Sequence, residues 1–152
     1  MAEERPESQV TKADPLKRFL AFLIDAVIVF VLTLIPIIGG LIGAAYMVFR
    51  DGFEFTFMKG RSLGKKAMRL KPVLTEDQRV CDLPTSFKRN WILAIGTVIA
   101  IIPVIGWALG GVITLLAYLV EGILVLSSPD GKRIGDNLAN TVVIEEVREG
   151  QE

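Results

Sequence analysis

The amino-acid sequence predicts an all-α integral membrane protein, with four transmembrane helices arranged as two tandem helical hairpins. Two uncharged stretches of the 152 residues, 26–49 and 91–120, indicate this fold. Each contains a Pro-x-x-Gly turn near its middle, at residues 36–39 and 103–106. Apolar residues make up 51% of the chain and its mean hydropathy is +0.49, both high for a soluble globular protein.

The lengths of the two stretches predict the helices in order. A helix needs about 20 residues to cross about 30 Å of hydrocarbon, so each stretch with its flanks holds two spans. We predict spans at about 18–36, 39–57, 88–104 and 106–127, the second being the weakest because its strictly apolar part ends at Phe49. A soluble helical bundle is the alternative, although buried soluble helices rarely run this far without a charge. The first run follows charged residues and lacks a small-residue cleavage site, which argues against a signal peptide.

The distribution of basic residues predicts the orientation. All 17 Lys and Arg lie in the leader up to Arg18, in the stretch 50–89, or in the tail from Lys132, and neither turn contains one. Positively charged loops stay on the cytoplasmic side of a membrane. We therefore expect a multi-pass protein of the inner or plasma membrane with both termini and the central stretch in the cytoplasm.

An internal repeat organises the chain. The pair Lys17-Arg18 recurs as Lys88-Arg89, and the glycine-spaced basic segment 60–65 recurs as 131–136, each 71 residues later. We predict hairpin units at 15–69 and 88–145, each ending in a short cytoplasmic amphipathic segment, with a pseudo-symmetry axis along the membrane normal. Chance similarity between apolar sequences remains an alternative to duplication.

The remaining segments are polar. Residues 1–14 and 146–152 are predicted to be a disordered leader and a disordered acidic tail, with Asp14-Pro15 capping the first helix. The connector 70–87 contains two β-prone runs around a polar turn, which predicts a small cytoplasmic hairpin. Cys81 lies in this connector, has no possible intrachain disulfide partner, and is interpreted as a reduced thiol.

Asp25 is the first candidate functional residue. An ionisable group inside a span costs roughly 2.5–3.5 kcal/mol, so it needs a partner or water. Arg18 lies two helical turns earlier on the same face and is the expected partner. Asp25 is therefore either a cation or proton site or an ion pair that pins the bundle.

Two further acidic residues and four glycines are candidates. Glu121 interrupts the fourth span at a depth similar to Asp25, so the two carboxylates can share one interior, although a Glu that reaches water at the interface is the simpler interpretation. Asp51, beside Arg50, is expected in a local pair or solvated at the headgroups. Small residues at four-residue spacing let helices approach closely and favour packing within or between subunits; these are Gly39, Gly43, Gly106 and Gly110.

Several classes of function and ligand are disfavoured. The chain contains no His, which removes His-based catalysis and His metal sites, and we read no nucleophile–base pair, metal cluster or cofactor loop. We therefore expect no enzyme, no metal and no cofactor. The net charge of zero gives no reason to expect nucleic acid. The basic segment 59–71 is expected to bind anionic lipids of the inner leaflet.

Three motifs resemble those of the RDD family of bacterial and archaeal membrane proteins. They are Arg18-x-x-Ala21-x-x-x-Asp25, then Gly60-x-Ser62-x-Gly64-Lys65, then Asp136-x-x-Ala139-x-Thr141-Val142-Val143, and the resemblance covers about residues 14–145. It implies that Arg18, Asp25 and Asp136 are the signature residues. Gly135 is a departure, because a His is common before the last aspartate in that family.

The resemblance and the intramembrane carboxylate together give two functional hypotheses. Some members of the family look like cation/proton antiporters, so the first is exchange of Na⁺, K⁺ or Li⁺ for H⁺ at Asp25, with Arg18 and Asp136 as a cytoplasmic latch. Four spans are few for a transporter, so a homo-oligomer is expected to complete the path. The second is a structural or assembly protein of the membrane, in which the Arg/Asp cluster is an architectural clasp.

Overall fold

The computed structural model describes residues 13–35, 37–102 and 104–146. Most of the predicted leader and acidic tail, and the prolines of both turns, lie outside these ranges. Within them the chain is mostly helical. Its elements are α1 (Pro15–Thr33), α2 (Ile38–Phe49), α3 (Leu63–Ala67), β1 (Leu70–Leu74), α4 (Leu83–Ile99), α5 (Ile105–Ser127), α6 (Ile134–Leu138) and β2 (Thr141–Glu145).

Two of the long helices, α1 and α4, begin at aspartate caps. The Asp14 side chain accepts the Leu16 N–H before α1, and the Asp82 side chain accepts the Thr85 N–H before α4. An N-cap carboxylate satisfies a backbone donor that the first helical turn leaves open. Because Asp82 caps α4, this helix begins at Leu83, five residues before the predicted span at 88 and inside the predicted connector.

One helix of the described residues, α5, is long and apolar enough to cross a bilayer by length and composition. The mean hydropathy of its most apolar window is 2.2, and 17% of that window is buried, whereas the core helix of a soluble protein is mostly buried. α2 is also apolar but has 12 residues. The predicted second span at 39–57 is therefore shorter as a helix, ending at Phe49.

The internal repeat is visible in the backbone. Six residues with positive φ form matched pairs, at Ile37 and Val104 within the two turns, at Gly60 and Gly131, and at Arg69 and Asn140. A non-glycine residue rarely adopts positive φ, and for β-branched residues this is a strained conformation. The same unusual conformations at matching positions of both units indicate that they share one fold.

The two strands correct the prediction of an all-α protein. β1 pairs with β2 in antiparallel order, from Leu70 opposite Glu145 to Leu74 opposite Thr141. The hairpin predicted within the connector is reduced to a single bridge between Val73 and Val80. A five-residue ladder satisfies more backbone groups than one bridge, so the distant strand is the main partner.

The register of this ladder shows where the pseudo-symmetry axis between the two units passes. Pro72 lies opposite Val143, and these residues are 71 positions apart, which is the spacing of the repeated surface segments. Two equivalent residues can face each other across an antiparallel pair only where a two-fold axis passes between them. The sheet thus joins the two units about their pseudo-symmetry axis.

The helices pack in the order α1, α2, α4, α5, since α2 contacts α4 while α1 packs on α2 and α5 packs on α4. The four glycines lie inside the hairpins. A Cβ on Gly39 would lie 1.7 Å from the Leu32 carbonyl oxygen, and one on Gly106 would lie 2.3 Å from that of Ile99. A Cβ on Gly110 would lie 2.4 Å from the Gly96 carbonyl oxygen, and one on Gly43 would lie 3.1 Å from the Val29 side chain. These contacts place all four glycines at close approaches within the chain.

The short helices α3 and α6 sit on the long ones through glycines. A Cβ on Gly64 would lie 1.9 Å from the Ala21 carbonyl oxygen, and one on Gly135 would lie 1.9 Å from that of Arg89. Ala21 and Arg89 are therefore structural equivalents, 68 residues apart. This corrects the sequence match of Arg18 with Arg89, which used the 71-residue spacing of the surface segments for the start of the hairpin.

Candidate functional site

A cluster of charged side chains lies where α3 and α6 pack against α1 and α4. Six members are buried, and the side chains of Arg18 and Arg133 are 12% and 11% exposed. Burial of a charge is costly unless it is paired, so each contact in this cluster matters. We call the cluster the charged network; it consists of Asp25, Asp51, Asp136, Arg18, Arg50, Lys65, Arg89 and Arg133.

Asp25 is held by three donors from the first unit. Its Oδ1 accepts the Tyr46 hydroxyl at 2.7 Å and the Gly64 N–H at 2.8 Å, and its Oδ2 accepts Arg50 Nη1 at 3.1 Å. Arg18, the expected partner, instead bonds Asp136 and the Gly131 carbonyl, and Arg50 after the end of α2 pairs with Asp25. Asp25 thereby ties α1 to α2 and to the start of α3.

Asp136 collects three guanidinium groups. Arg18 Nη2 lies at 2.7 Å, Arg89 Nη2 at 2.9 Å and Arg133 Nη2 at 3.1 Å from its oxygens. Burial raises the pKa of Asp136, but the positive charges of Arg133, Arg89 and Arg18 together bring it well below its usual value. Arg18 also donates to the Gly131 carbonyl at 2.5 Å. The contact between Arg18 and Asp136 therefore joins the two units.

The sequence suggested that Asp51 forms a local pair with Arg50 or is solvated at the headgroups. Both expectations are wrong, because Asp51 is fully buried and pairs with other residues. Its Oδ1 lies 2.6 Å from Lys65 Nζ, and its Oδ2 lies 3.3 Å from Arg89 Nε and 3.2 Å from Asn90 Nδ2. Lys65, which occupies the position matching Asp136, thus pairs within its own unit. Arg89 contacts both Asp51 and Asp136 and is the bridge of the network.

The sequence analysis missed several members of this site. Arg50, Lys65 and Arg89 looked like ordinary cations at the membrane surface, and Tyr46 looked like a residue of an apolar span. A charge at the end of an apolar helix is compatible with both a solvated and an inward position. The glycine at position 64, which brings α3 onto α1, was the available sign that the neighbouring Lys65 is buried.

Glu121 is buried at 3% exposure, so it does not reach water as the simpler interpretation held. Its Oε2 accepts the Ile134 N–H at 3.0 Å, at the start of α6. This contact matches that of the Tyr46 hydroxyl on α2, which accepts the equivalent Leu63 N–H at 3.2 Å at the start of α3. Glu121 and Asp25 line the same groove but are not hydrogen-bonded to one another.

The groove lies between α1 and α5 and has a volume of about 1420 Å³. Most of its lining is apolar, with Val29, Ile101 and Leu115 among the lining residues. The ring of Phe22 on α1 meets that of Tyr118 on α5, with centroids 4.1 Å apart. Its polar end is formed by Asp25, Arg50, Lys65, Glu121, Tyr118 and Arg133.

The surface segment 59–71 is less available to lipids than its composition suggests. Arg61 and Lys65 are buried, and Arg61 Nη1 lies 2.6 Å from Glu146. Lys59, Lys66 and Arg69 remain exposed. In the described part of the chain, no group of three or more His, Cys, Asp or Glu is placed to hold a metal ion. Cys81 is buried, and burial raises the pKa of its thiol.

Comparison with known proteins gives one match. The family model described as RDD family matches residues 37–140. No curated protein and no solved structure matches the chain. The matched stretch contains Asp51, Lys65, Arg89 and Asp136, whereas Arg18 and Asp25 precede it.

Proposed function

The chain belongs to the RDD family, whose members are membrane-associated, and from that premise we propose that it is a four-span membrane protein that exchanges a monovalent cation for a proton. Na⁺, K⁺ and Li⁺ are the candidate cations. The site is the polar end of the groove, where Asp25 is the carboxylate that faces the membrane path. The observation that carries the proposal is a buried carboxylate at the polar end of a groove whose other lining residues are mostly apolar.

The apolar surfaces support four spans. α1, α2, α4 and α5 each expose large apolar side chains along their length, as at Phe30, Leu41, Val98 and Leu116. Exposed apolar patches of this extent mark a surface that meets lipid or another protein. With the cations at one end of the bundle, we propose cytoplasmic termini and turns on the outside. A reporter fused after residue 146 that gives an external signal would contradict this topology.

The exchange is tested by proton flux in proteoliposomes driven by gradients of Na⁺, K⁺ or Li⁺. We expect flux with the wild-type chain and its loss in Asp25→Asn, since the amide cannot carry the negative charge that a cation needs. Asp77→Asn is a matched control, because it makes the same chemical change at an exposed carboxylate that does not line the groove. Flux in Asp25→Asn equal to the wild type would refute the proposal for Asp25.

A second proposed function is a structural one, in which the charged network acts as a clasp of a membrane assembly. The contacts of Arg89 with Asp51 and Asp136 favour it, because they bind the two units together in a fully buried position. A chain that inserts and folds but shows no flux with any of the three cations would favour the clasp over the exchanger.

We propose two partners, anionic lipids and a second copy of the chain. The exposed cations Lys59, Lys66 and Arg69 lie where they can contact anionic headgroups. The groove is flanked by α1 and α5 and a homo-oligomer would close it from the membrane side. Since the four glycines are already used within the hairpins, the oligomer contact would use the apolar faces of α1 and α5. Cross-linking in the membrane tests it.

A further inference from the structure

The groove between α1 and α5 is long enough for the acyl chain of a lipid. Its lining on α5 runs from Tyr118 at the polar end to Trp107, and the helical rise of about 1.5 Å per residue makes this distance about 17 Å. One leaflet holds half of about 30 Å of hydrocarbon, or about 15 Å. No lining residue of α5 between these two positions is charged. The apolar part of the groove therefore matches one acyl chain in length and polarity.

Two buried polar atoms at the polar end of the groove have no hydrogen-bond partner among the described residues. They are Nε of Arg50 and the hydroxyl oxygen of Tyr118, and both residues line the groove. Arg50 is 2% exposed and donates to Asp25 through Nη1, so its Nε stays available. A buried donor without an acceptor is costly. Both atoms are therefore suited to donate to a bound ligand.

The charges around these two atoms favour an anionic ligand. Arg50 and Arg133 both act electrostatically on the Tyr118 hydroxyl, and all three line the groove. The charged network contains five basic side chains and three aspartates, and the nearby Glu121 is a fourth carboxylate. If every group is ionised, one positive charge is in excess, and a buried charge without a counter-charge is costly. An anionic group at this end of the groove would supply the counter-charge.

The carboxylates at the same end favour a lipid over a free anion. Asp25 and Glu121 line the groove and repel a small anion from water, although both already accept hydrogen bonds from the protein. A lipid is held by its chain as well, through van der Waals contacts along the helices, and the surrounding bilayer keeps its concentration beside the groove high. Basic pockets between membrane helices bind anionic headgroups in this way.

We propose that the groove binds one anionic phospholipid, with an acyl chain between α1 and α5 and the phosphate at Arg50, Arg133 and the Tyr118 hydroxyl. The guanidinium groups donate to the phosphate oxygens, which are strong acceptors for them. The negative charge of the lipid offsets the excess positive charge of the network. The site goes beyond the proposed exchange, since it needs no cation and holds a single lipid rather than a lipid surface.

Native mass spectrometry of the delipidated full chain in a nonionic detergent tests the site. Phosphatidylglycerol or phosphatidylcholine of equal chain length is added, and the bound copies are counted. We expect one phosphatidylglycerol per chain, bound about tenfold or more tightly than phosphatidylcholine, which is the factor of one hydrogen bond to a charged group. Inorganic phosphate should not displace it, because phosphate has no chain to occupy the groove.

One pair of variants tests the position of the chain. Gly111 lines the groove, and a Cβ added there meets no atom within 4 Å, so Gly111→Phe should occupy groove space without disturbing the fold and should abolish lipid binding. Val112→Phe adds a ring at an exposed position of α5 outside the groove lining and should bind the lipid as the wild type does.

A second set of variants tests the headgroup contacts. Arg133→Gln should lose the preference for phosphatidylglycerol, whereas Lys132→Gln makes the same change at a neighbour outside the groove lining and should keep it. Tyr118→Phe removes only the hydroxyl and should weaken phosphatidylglycerol binding about tenfold. It keeps the proposal testable if Arg133→Gln does not fold, since Arg133 also pairs with Asp136.

The outcomes separate this site from the proposed function. Equal binding of the two lipids by the wild type, or none, overturns the site without any variant. Unchanged binding in Gly111→Phe, in both headgroup variants, or equal losses in Arg133→Gln and Lys132→Gln also overturn it, as would a groove covered by a second copy in cross-linking with no lipid retained. Lipid binding without cation-driven flux supports the site while the exchange falls, and flux without retained lipid does the reverse.

Discussion

Replacing Arg89 by Met is expected to destabilise the protein, because it removes the bridge of the charged network. The guanidinium is fully buried and contacts Asp51 at 3.3 Å and Asp136 at 2.9 Å. Methionine fills part of the volume but leaves both carboxylates without this partner. Removing one member of a buried ion pair costs about 3–5 kcal/mol.

The remaining contacts place the expected cost at the lower end of that range. Asp136 keeps Arg18 and Arg133, and Asp51 keeps Lys65. We therefore expect a loss of about 3 kcal/mol, which at about 2–4 °C per kcal/mol lowers Tm by about 6–12 °C. Intrinsic fluorescence during heating in detergent measures this shift, with exposed Lys88→Met on the same helix as the control.

A double-mutant cycle shows whether the cause is the ion pair. If Arg89 acts through Asp51, combining Arg89→Met with Asp51→Asn should cost less than the sum of the single changes, by about 0.5–3 kcal/mol. A Tm for Arg89→Met within about 2 °C of the wild type, or strictly additive changes, would refute the bridging role. Exchanging the charges of Arg18 and Asp136 is no substitute, because a cation at position 136 would face Arg89 and Arg133.

Three other substitutions give independent predictions. Gly135→Ala should destabilise α6 and lower Tm, because its Cβ would lie 1.9 Å from a carbonyl oxygen of α4, whereas Gly122→Ala, with open space, should be neutral or stabilising. Burial lowers the pKa of Lys65 to about 7, so between pH 7 and 10 the unfolded chain binds more protons than the folded protein; Tm should rise across that window in the wild type, and Lys65→Arg should abolish the rise. Tyr46→Phe should cost about 1–3 kcal/mol by chemical denaturation, because its hydroxyl serves both Asp25 and the Leu63 N–H, while Tyr118→Phe should cost less.

The hairpins could be predicted from the sequence because their signal is local. An uncharged stretch with a central Pro-x-x-Gly turn specifies two helices without reference to the rest of the chain, and α1 and α5 lie close to the predicted spans. The strand β2 could not be found in this way. Its partner lies 71 residues away, and its sequence Thr-Val-Val-Ile-Glu also fits the end of an amphipathic segment.

The charged site was predicted only in part, because some of its residues have a local signal in the sequence and others do not. Asp25 and Glu121 stand out as charges within apolar runs, but the sequence favoured a Glu121 that reaches water, whereas both carboxylates are buried. Their partners depend on the docking of α3 and α6, which no local pattern encodes. The absence of a side chain at Gly135 now has a reason: the position is filled by the Arg89 carbonyl, so a larger residue requires α6 to move away from α4.

The distance along the chain between β1 and β2 has a consequence during synthesis. Leu74 and Thr141 are 67 positions apart, so at about 5–20 residues per second the edge of β1 waits roughly 3–13 s for its partner while α4 and α5 are being made. An unpaired strand in that interval can pair with a neighbouring nascent chain. Lys71 and Pro72 are the residue types that discourage such pairing, one through its charge and the other because it has no N–H to donate. The middle of β1 thus carries its own protection against aggregation on the ribosome.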